Sequence, residues 1–528
     1  MNLRKFSVLV FALSMLTSPM AKADLVIDPS IPKLGLWLVE NGGLTSMPSV
    51  IYGSAKSQLG SSQDLKLCGE ITSQICTDAA LIQVNNFLPI CKTTTDFNCI
   101  AKVWASDSSG KKIYGTAGRR YPAKTNGDYS AVPAMGLPEG NGQGSIFNIP
   151  GVKHAGGNDN YLILVHDFYT IQKRPGQPAT ELKYEVNNMH AGIIPVNEYS
   201  GNYQAGTVRD GFAGSGSGGN APTGEECQVT DVGSCLVSQN FPTDYQFGIS
   251  IRTSSHVIGW FHGRIHAPTI NLTSTGTGEE ISIQAEPVRV TSIDYLAPTS
   301  AYSQEAKDVV FSGRGWGILG GPQGIKINQN LDSEDARTLF KLFNPVYKDT
   351  SSGEKTFWGV ESMVNGQNQN QVTRCANQSG GLGGIVTTNS LLYSSGPPTF
   401  NKSTMSLDYQ LASPHFESNG NVTSGSYDLL IRSDVARCIY GFSKAPITAS
   451  ISVISSDGSP KVATSVLGEK DGWLYLSAQG FEFSSPTVRV KLSQGSAAVS
   501  QITCLKGKTK KVISGAKPTC PSGYKILK

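Results

Sequence analysis

Short apolar runs that alternate with polar positions, each closed by Gly, Pro, Asn or Ser, recur along most of the chain. Side chains on a strand point to opposite faces with period two, so such runs predict half-buried β-strands. The clearest are CIAKVWASD and KKIYG, joined by a turn at Ser108-Ser109-Gly110, then NYLILVHDFYTI, YQFGISIRT, VIGWFHGRI and ISIQAEPVRVTSI. Nearer the carboxyl end SYDLLIRS, ITASISVI, WLYLSA and TVRVKLSQ read the same way, with SDG as the turn after the second of them. Helical spacing is rare. Ala/Leu/Ile spacing in TDAALIQVNNFL predicts one short helix. DARTLFKLF predicts another, with Asp332 as N-cap, Leu339, Phe340, Leu342 and Phe343 as its apolar face and Pro345 as its end.

These elements predict a mainly β chain of several β-sandwiches, with a small helix-bearing connector and a short disulfide-closed module at the carboxyl end. The expected divisions are a signal peptide over 1–23, a cysteine-rich region over 24–115, a sandwich-like domain over 116–298, the connector over 299–374, a second sandwich over 375–500 and a basic tail over 501–528. No internal repeat of fixed period occurs. GFAGSGSGGNAPTGEE, between two strand candidates, reads as an exposed Gly/Ser loop.

The first residues change the compartment. MNLRKFS is a basic start, VLVFALSML an apolar stretch too short to span a bilayer, and Ala21-Lys22-Ala23 a small-residue cleavage pattern, which predicts export with Asp24 as the mature start. No later stretch is apolar enough for a transmembrane helix. Ten cysteines behind such a leader, Cys68, Cys76, Cys91, Cys99, Cys227, Cys235, Cys375, Cys438, Cys504 and Cys520, predict disulfides. Cys227/Cys235 and Cys504/Cys520 read as local loops and Cys375/Cys438 as a longer staple, while the four amino-terminal cysteines allow three connectivities. No close pair such as C-x2-C is present, so a zinc site is not expected.

Charged residues are only 16% and Gly is 58 of 528, a balance that suits turn-rich extracellular β-structure better than helical bundles or acidic tails. Arg4, Lys5 and Lys22 account for three of the formal +4, leaving the mature chain at +1. Seven lysines and no acid follow Cys504, so the body before it is at −6. An acidic body carries a basic tail.

GWFHGRIHAPTI, SDVARCIYGFSKAP, LGEKDGWLYLSAQGFEFSSPTVRVKLSQ and the closing ITCLKGKTKKVISGAKPTCPSGYK resemble, as a set, uncharacterised secreted proteins of actinobacteria. The closing string is the most specific and is similar to a Cys/Lys-rich module appended to many unrelated exported proteins of those bacteria. The resemblance covers about half the chain and implies localisation, not activity.

Candidate chemistry is sparse. His256, His262 and His266 form the densest histidine group, and on a strand Trp260, His262, Arg264 and His266 share one face. That face predicts a contact surface, with Trp260 as a stacking platform for a sugar ring beside a planar donor. SGRGWGILGG lacks the Lys-Ser/Thr of a phosphate loop and reads as a surface turn, with Trp316 anchored in a core seam. Glu225/Glu226 and Glu279/Glu280 read as solvated turn residues. His166 and Asp167 are strand neighbours facing opposite sides. The sequons at Asn271, Asn377, Asn401 and Asn421 mark surface turns. No G-x-S-x-G elbow or H-E-x-x-H helix occurs, and no cofactor, metal or nucleic-acid partner is expected. The expectation is a secreted or cell-surface structural or binding protein without catalytic activity, the alternative being a secreted carbohydrate-active or carbohydrate-binding protein. Lys506, Lys508, Lys510, Lys511 and Lys517, held by a Cys504–Cys520 loop, are the expected contacts to an anionic envelope polymer.

Overall fold

A computed structural model describes residues 27–527 apart from 43–46, 60, 175, 187, 212, 216–218, 277, 313–315, 364–370, 444–446, 455–459, 463–465, 484–485, 495–499, 508 and 516–518. The expected leader over 1–23 therefore lies outside the described residues. The chain is mainly β, with five α-helices among the described residues.

Its frame is a sheet of ten strands in the spatial order Val50–Ser54, Leu81–Phe87, Asn160–Gln172, Met189–Ser200, Gly353–Ser362, Gly259–Ser274, Leu382–Thr388, Ser424–Arg432, Trp473–Glu482 and Val466–Lys470. Every pairing is antiparallel except Gly259–Ser274 with Leu382–Thr388. The ladder thus runs across the divisions expected at 115, 298 and 374. Sequence pattern shows strands but not their partners, because pairing is decided by tertiary packing.

Period-two alternation is kept on both faces of this sheet. Phe261, Ile265, Trp358, Val360, Ile385 and Leu430 belong to one hydrophobic core, while Trp260, Val386, Leu429, Ile431, Leu474 and Leu476 belong to the other. A strand covered on both sides buries nearly every residue, as Leu382–Thr388 does along its whole length. The long Gly259–Ser274 and Glu279–Pro298 strands leave the frame to build a second sheet with Tyr245–Thr253 and Cys99–Asp107. Glu279–Pro298 ends beside Lys33–Leu38, where the helices Gln304–Phe311 and Glu334–Tyr347 pack Ala306, Val310, Leu339, Phe340 and Phe343 into the second core.

A further sheet contains Ser406–Ala412, Thr487–Gln494 and Ile447–Ile454, and a three-stranded sheet of Ser500–Lys506, Thr509–Gly515 and Lys525–Ile526 closes the chain. Five disulfides are formed, Cys68–Cys76, Cys91–Cys99, Cys227–Cys235, Cys375–Cys438 and Cys504–Cys520, with no free cysteine among the described residues. Both open amino-terminal pairings resolve as local loops. Among the described residues no helix is long and apolar enough to cross a membrane.

Several local expectations are corrected. In TDAALIQVNNFL the helix stops at Asp78 and Leu81–Phe87 is a fully buried strand. Its two asparagines are tolerated because Asn85 donates to the Met47 and Pro48 carbonyls and Asn86 to the Tyr184 hydroxyl. Ser333, not Asp332, caps the later helix by accepting from the Ala336 amide at 3.0 Å, and Pro345 lies inside that helix, which continues to Tyr347. Part of the Gly/Ser loop forms a hairpin of Thr207–Arg209 with Ala213–Ser215. Gly317–Gly321 in SGRGWGILGG is a strand paired with Gly324–Asn328, and Trp316 beside it is buried, donating to the Val310 carbonyl at 2.9 Å. Glu279 and Glu280 open a long strand, where Glu279 accepts from the Val257 amide and Glu280 from Ser250 and Arg252.

Candidate functional site

The face predicted from period two exists, but it points inward. Trp260 is 1% exposed and its ring lies over Gly384, where an added Cβ would sit 2.2 Å from the indole Cζ3. The sugar platform is thereby corrected, because the residue is core. Both faces of this central strand are roofed, so alternation sorts side chains between two interiors rather than between interior and water.

Beside Trp260 lies a row of ionisable groups of which His262 is fully buried and His166, His190 and Glu361 are partly exposed. His166, His190, Glu361 and His262 are directly opposite one another on four successive strands of the frame. The row fills the polar interval between the apolar cluster of Leu162, Leu164 and Ile194 and the core around Trp260. Glu361 faces His190 at 3.6 Å and His262 at 3.5 Å, and accepts from the Tyr393 hydroxyl at 3.0 Å. Tyr393 stacks flat on His262, with ring centroids 3.7 Å apart. Arg264 lies with its guanidinium 4.6 Å from the other side of the Tyr393 ring and donates to Glu40 at 2.6 Å and to the carbonyls of Thr388, Ser390 and Leu391. The segment after Leu38 covers the row: His190 Nε2 meets the Gly42 carbonyl at 3.1 Å, and Glu40 also accepts from the Asn41 and Gly42 amides.

The electrostatics follow from closure. Burial disfavours the Glu361 carboxylate, yet the adjacent His190 and His262 outweigh it and hold the carboxyl well below its usual range. Burial, with Arg264 nearby, pushes His262 below the ordinary imidazole value despite the adjacent Glu361. Burial and the neighbouring His190 take His166 down to about 3. Burial and the adjacent Glu361 push the Tyr393 phenol well up. Burial, followed by Glu361, also raises Asp332. His262 Nε2 has no hydrogen-bond partner among the described residues, which suits a neutral ring in an apolar wall.

His266, the fourth residue of the predicted face, sits elsewhere in chemistry. Its Nδ1 meets the buried Asp428 at 2.9 Å, and the same carboxylate accepts from the Ala267 amide and the Thr387 hydroxyl. The hydrogen bond to Asp428 raises the His266 pKa against its partial burial. A register shift follows His266, and Ala267 adopts φ of 47°, so the strand bends where it leaves one sheet for the other. His256 is separate again, 3.2 Å from Glu279.

His190, Glu361, Glu40, Tyr393 and Asp428 were not singled out by sequence reasoning. They are isolated polar positions in strands or loops distant along the chain, and only the pairing of those strands brings them together. Among the described residues no group of His, Cys, Asp and Glu could hold a metal ion. Lys506, Lys510 and Lys511 are exposed on the terminal sheet, whereas Lys508 and Lys517 lie outside the described residues. These features define a disulfide-stapled β-protein with a partly buried cluster of ionisable groups across its central strands. No protein-family model matches the chain, and no curated protein matches it.

Proposed function

We propose that the protein works outside the cytoplasm as a rigid scaffold or binding protein without catalytic activity, held at the cell envelope through its basic tail. One observation carries the reading: the groups best suited to chemistry, His190, Glu361, His262, Arg264 and Glu40, are engaged with one another and with backbone carbonyls, and His166 with the Asn85 side chain. A buried guanidinium paired as fully as that of Arg264 specifies a conformation rather than meeting a substrate. Five disulfides, three of them closing eight-residue separations, fit an oxidising compartment. The resemblance of the closing string to modules of secreted actinobacterial proteins supports the same placement.

Fractionation of the native host into medium, envelope and cytoplasm tests this. Mature chain beginning at Asp24 in the medium or envelope is the expected result. Full-length chain with free thiols in the cytoplasm would overturn it.

A second reading, carbohydrate binding, rests on a different aromatic from the one the sequence indicated. Tyr114 is 55% exposed at the rim of an open groove of about 460 Å³ walled by Ile90, Ile100, Val103 and Phe147 with Lys102 alongside. Glycan-array binding that is abolished by Tyr114→Ala would support it.

A further inference from the structure

Antiparallel pairing fixes which side chains share a face of the terminal sheet. Thr503 lies opposite Val512, and Leu505 lies between Lys510 on one neighbouring strand and Lys525 on the other. The Leu527 amide continues the ladder by donating to the Thr503 carbonyl at 2.7 Å. One face therefore carries Thr503, Leu505, Val512 and Leu527 with Lys510 and Lys525 at its flanks. The opposite face carries the fully buried Cys504, bonded to Cys520, flanked by Lys511 and the exposed Ile526, and Lys506, whose ammonium lies 5.9 Å from the Tyr524 ring. The first face is open. Val512 is 58% and Leu527 42% exposed, and Lys510 and Lys525 are exposed around them.

We infer that this open face is a docking surface for an anionic lipid bilayer, which deepens the envelope attachment proposed above and rests on it. Two features of the face select that partner. After Glu482 the chain contains no Asp or Glu, so nothing on the module offsets its lysines and the complementary surface is negative. A soluble anionic polymer would satisfy those ammonium groups and leave Val512 and Leu527 in water. A bilayer interface takes both, with aliphatic side chains at the acyl boundary and ammonium groups among phosphates. The acidic body is repelled by the same surface, which leaves the module to make the contact.

Each lysine near an anionic leaflet adds about fivefold to the partition, so losing two costs about 25-fold at low salt. The test uses the full mature chain with its disulfides formed, and three probes: vesicles of mixed phosphatidylglycerol and phosphatidylcholine, vesicles of phosphatidylcholine alone, and soluble polyphosphate. The variants are Lys510→Gln/Lys525→Gln and Val512→Thr/Leu527→Gln, both at exposed positions, checked by circular dichroism and by intact mass without reduction. The native chain should sediment with the anionic vesicles and not with the zwitterionic ones. The lysine pair should lose about 25-fold, and the aliphatic pair should lose several-fold on vesicles while binding polyphosphate unchanged. Vesicle binding that ignores the aliphatic pair would assign the module to polymers and overturn the bilayer. Absence of binding to anionic vesicles would overturn it too. Failure of the scaffold reading is separable, since it would appear as cytoplasmic full-length chain in the fractionation whatever the vesicles show.

Discussion

Glu40→Ala removes the carboxylate that, alone among the described residues, is bonded to the Arg264 side chain, whose guanidinium is nine-tenths or more out of water. What remains around the cation is the Tyr393 face, the Glu361 carboxylate acting at longer range, and three carbonyls, of which Thr388 at 3.4 Å is a weak acceptor and Leu391 at 3.0 Å a good one. Neutral acceptors stabilise the cation but do not balance its charge. Breaking one partner of a buried pair costs about 3–5 kcal/mol, and the truncation also strips the Asn41 and Gly42 amides of their shared acceptor. Arg264→Met should cost at least as much, because three carbonyls lose a donor together. The double variant should cost less than the sum by about 2 kcal/mol or more, since neither charge is then left alone. Urea unfolding with disulfides intact, followed by tryptophan fluorescence at constant slope, measures all three. A loss under about 1 kcal/mol for Glu40→Ala, or simple additivity in the double variant, would mean that water reaches Arg264 and would refute the closed-cluster reasoning.

Trp260→Ala should destabilise by about 3–5 kcal/mol, the range for emptying a large buried aromatic site, and near-native stability in the same urea experiment would return the residue to the surface. Stability should fall in acid. His166 and His262 have folded pKa values below the ordinary imidazole value, and Glu361 is below the usual carboxylate value, so the unfolded chain binds protons first as pH drops. The loss begins below about pH 6.5 and reaches about 2–3 kcal/mol from His166 by pH 4, and a flat profile from pH 7 to 4 would contradict it. His266 runs the other way: raised by Asp428, its contribution is present below about pH 6.5 and is lost as pH rises through its folded value, so histidine NMR should place it above His262. Replacing Cys375 and Cys438, which join the helices Gln371–Ser379 and Ser433–Tyr440, should cost about 2–5 kcal/mol, and non-reducing mass spectrometry of the native chain should find all ten cysteines paired.

Most strands were legible because their signal is local. The NYLILVHDFYTI run needs only its β-branched and aromatic content to be extended, and it forms Asn160–Gln172. LIQVNNF was misread for the same reason: four apolar positions at mixed spacing fit either period, and two asparagines argue against a buried strand until their partners are known. The candidate site was half legible. Period two placed Trp260, His262 and Arg264 on one face, but which of the two faces meets water is not a property of the strand.

By itself, then, the sequence determined most of the strands, the even set of cysteines that pair, the acidic body and the basic end, since each depends on neighbours along the chain or on composition. Tertiary structure decided that Gly259–Ser274 runs through the middle of a ten-strand ladder with a core on either side. It also decided that His166, His190, Glu361 and His262, separated by up to 195 residues between His166 and Glu361, stand in one row. The cause is the long-range hydrogen-bond register of the sheet, which sets both the neighbours and the burial of a side chain and which no window of local sequence contains.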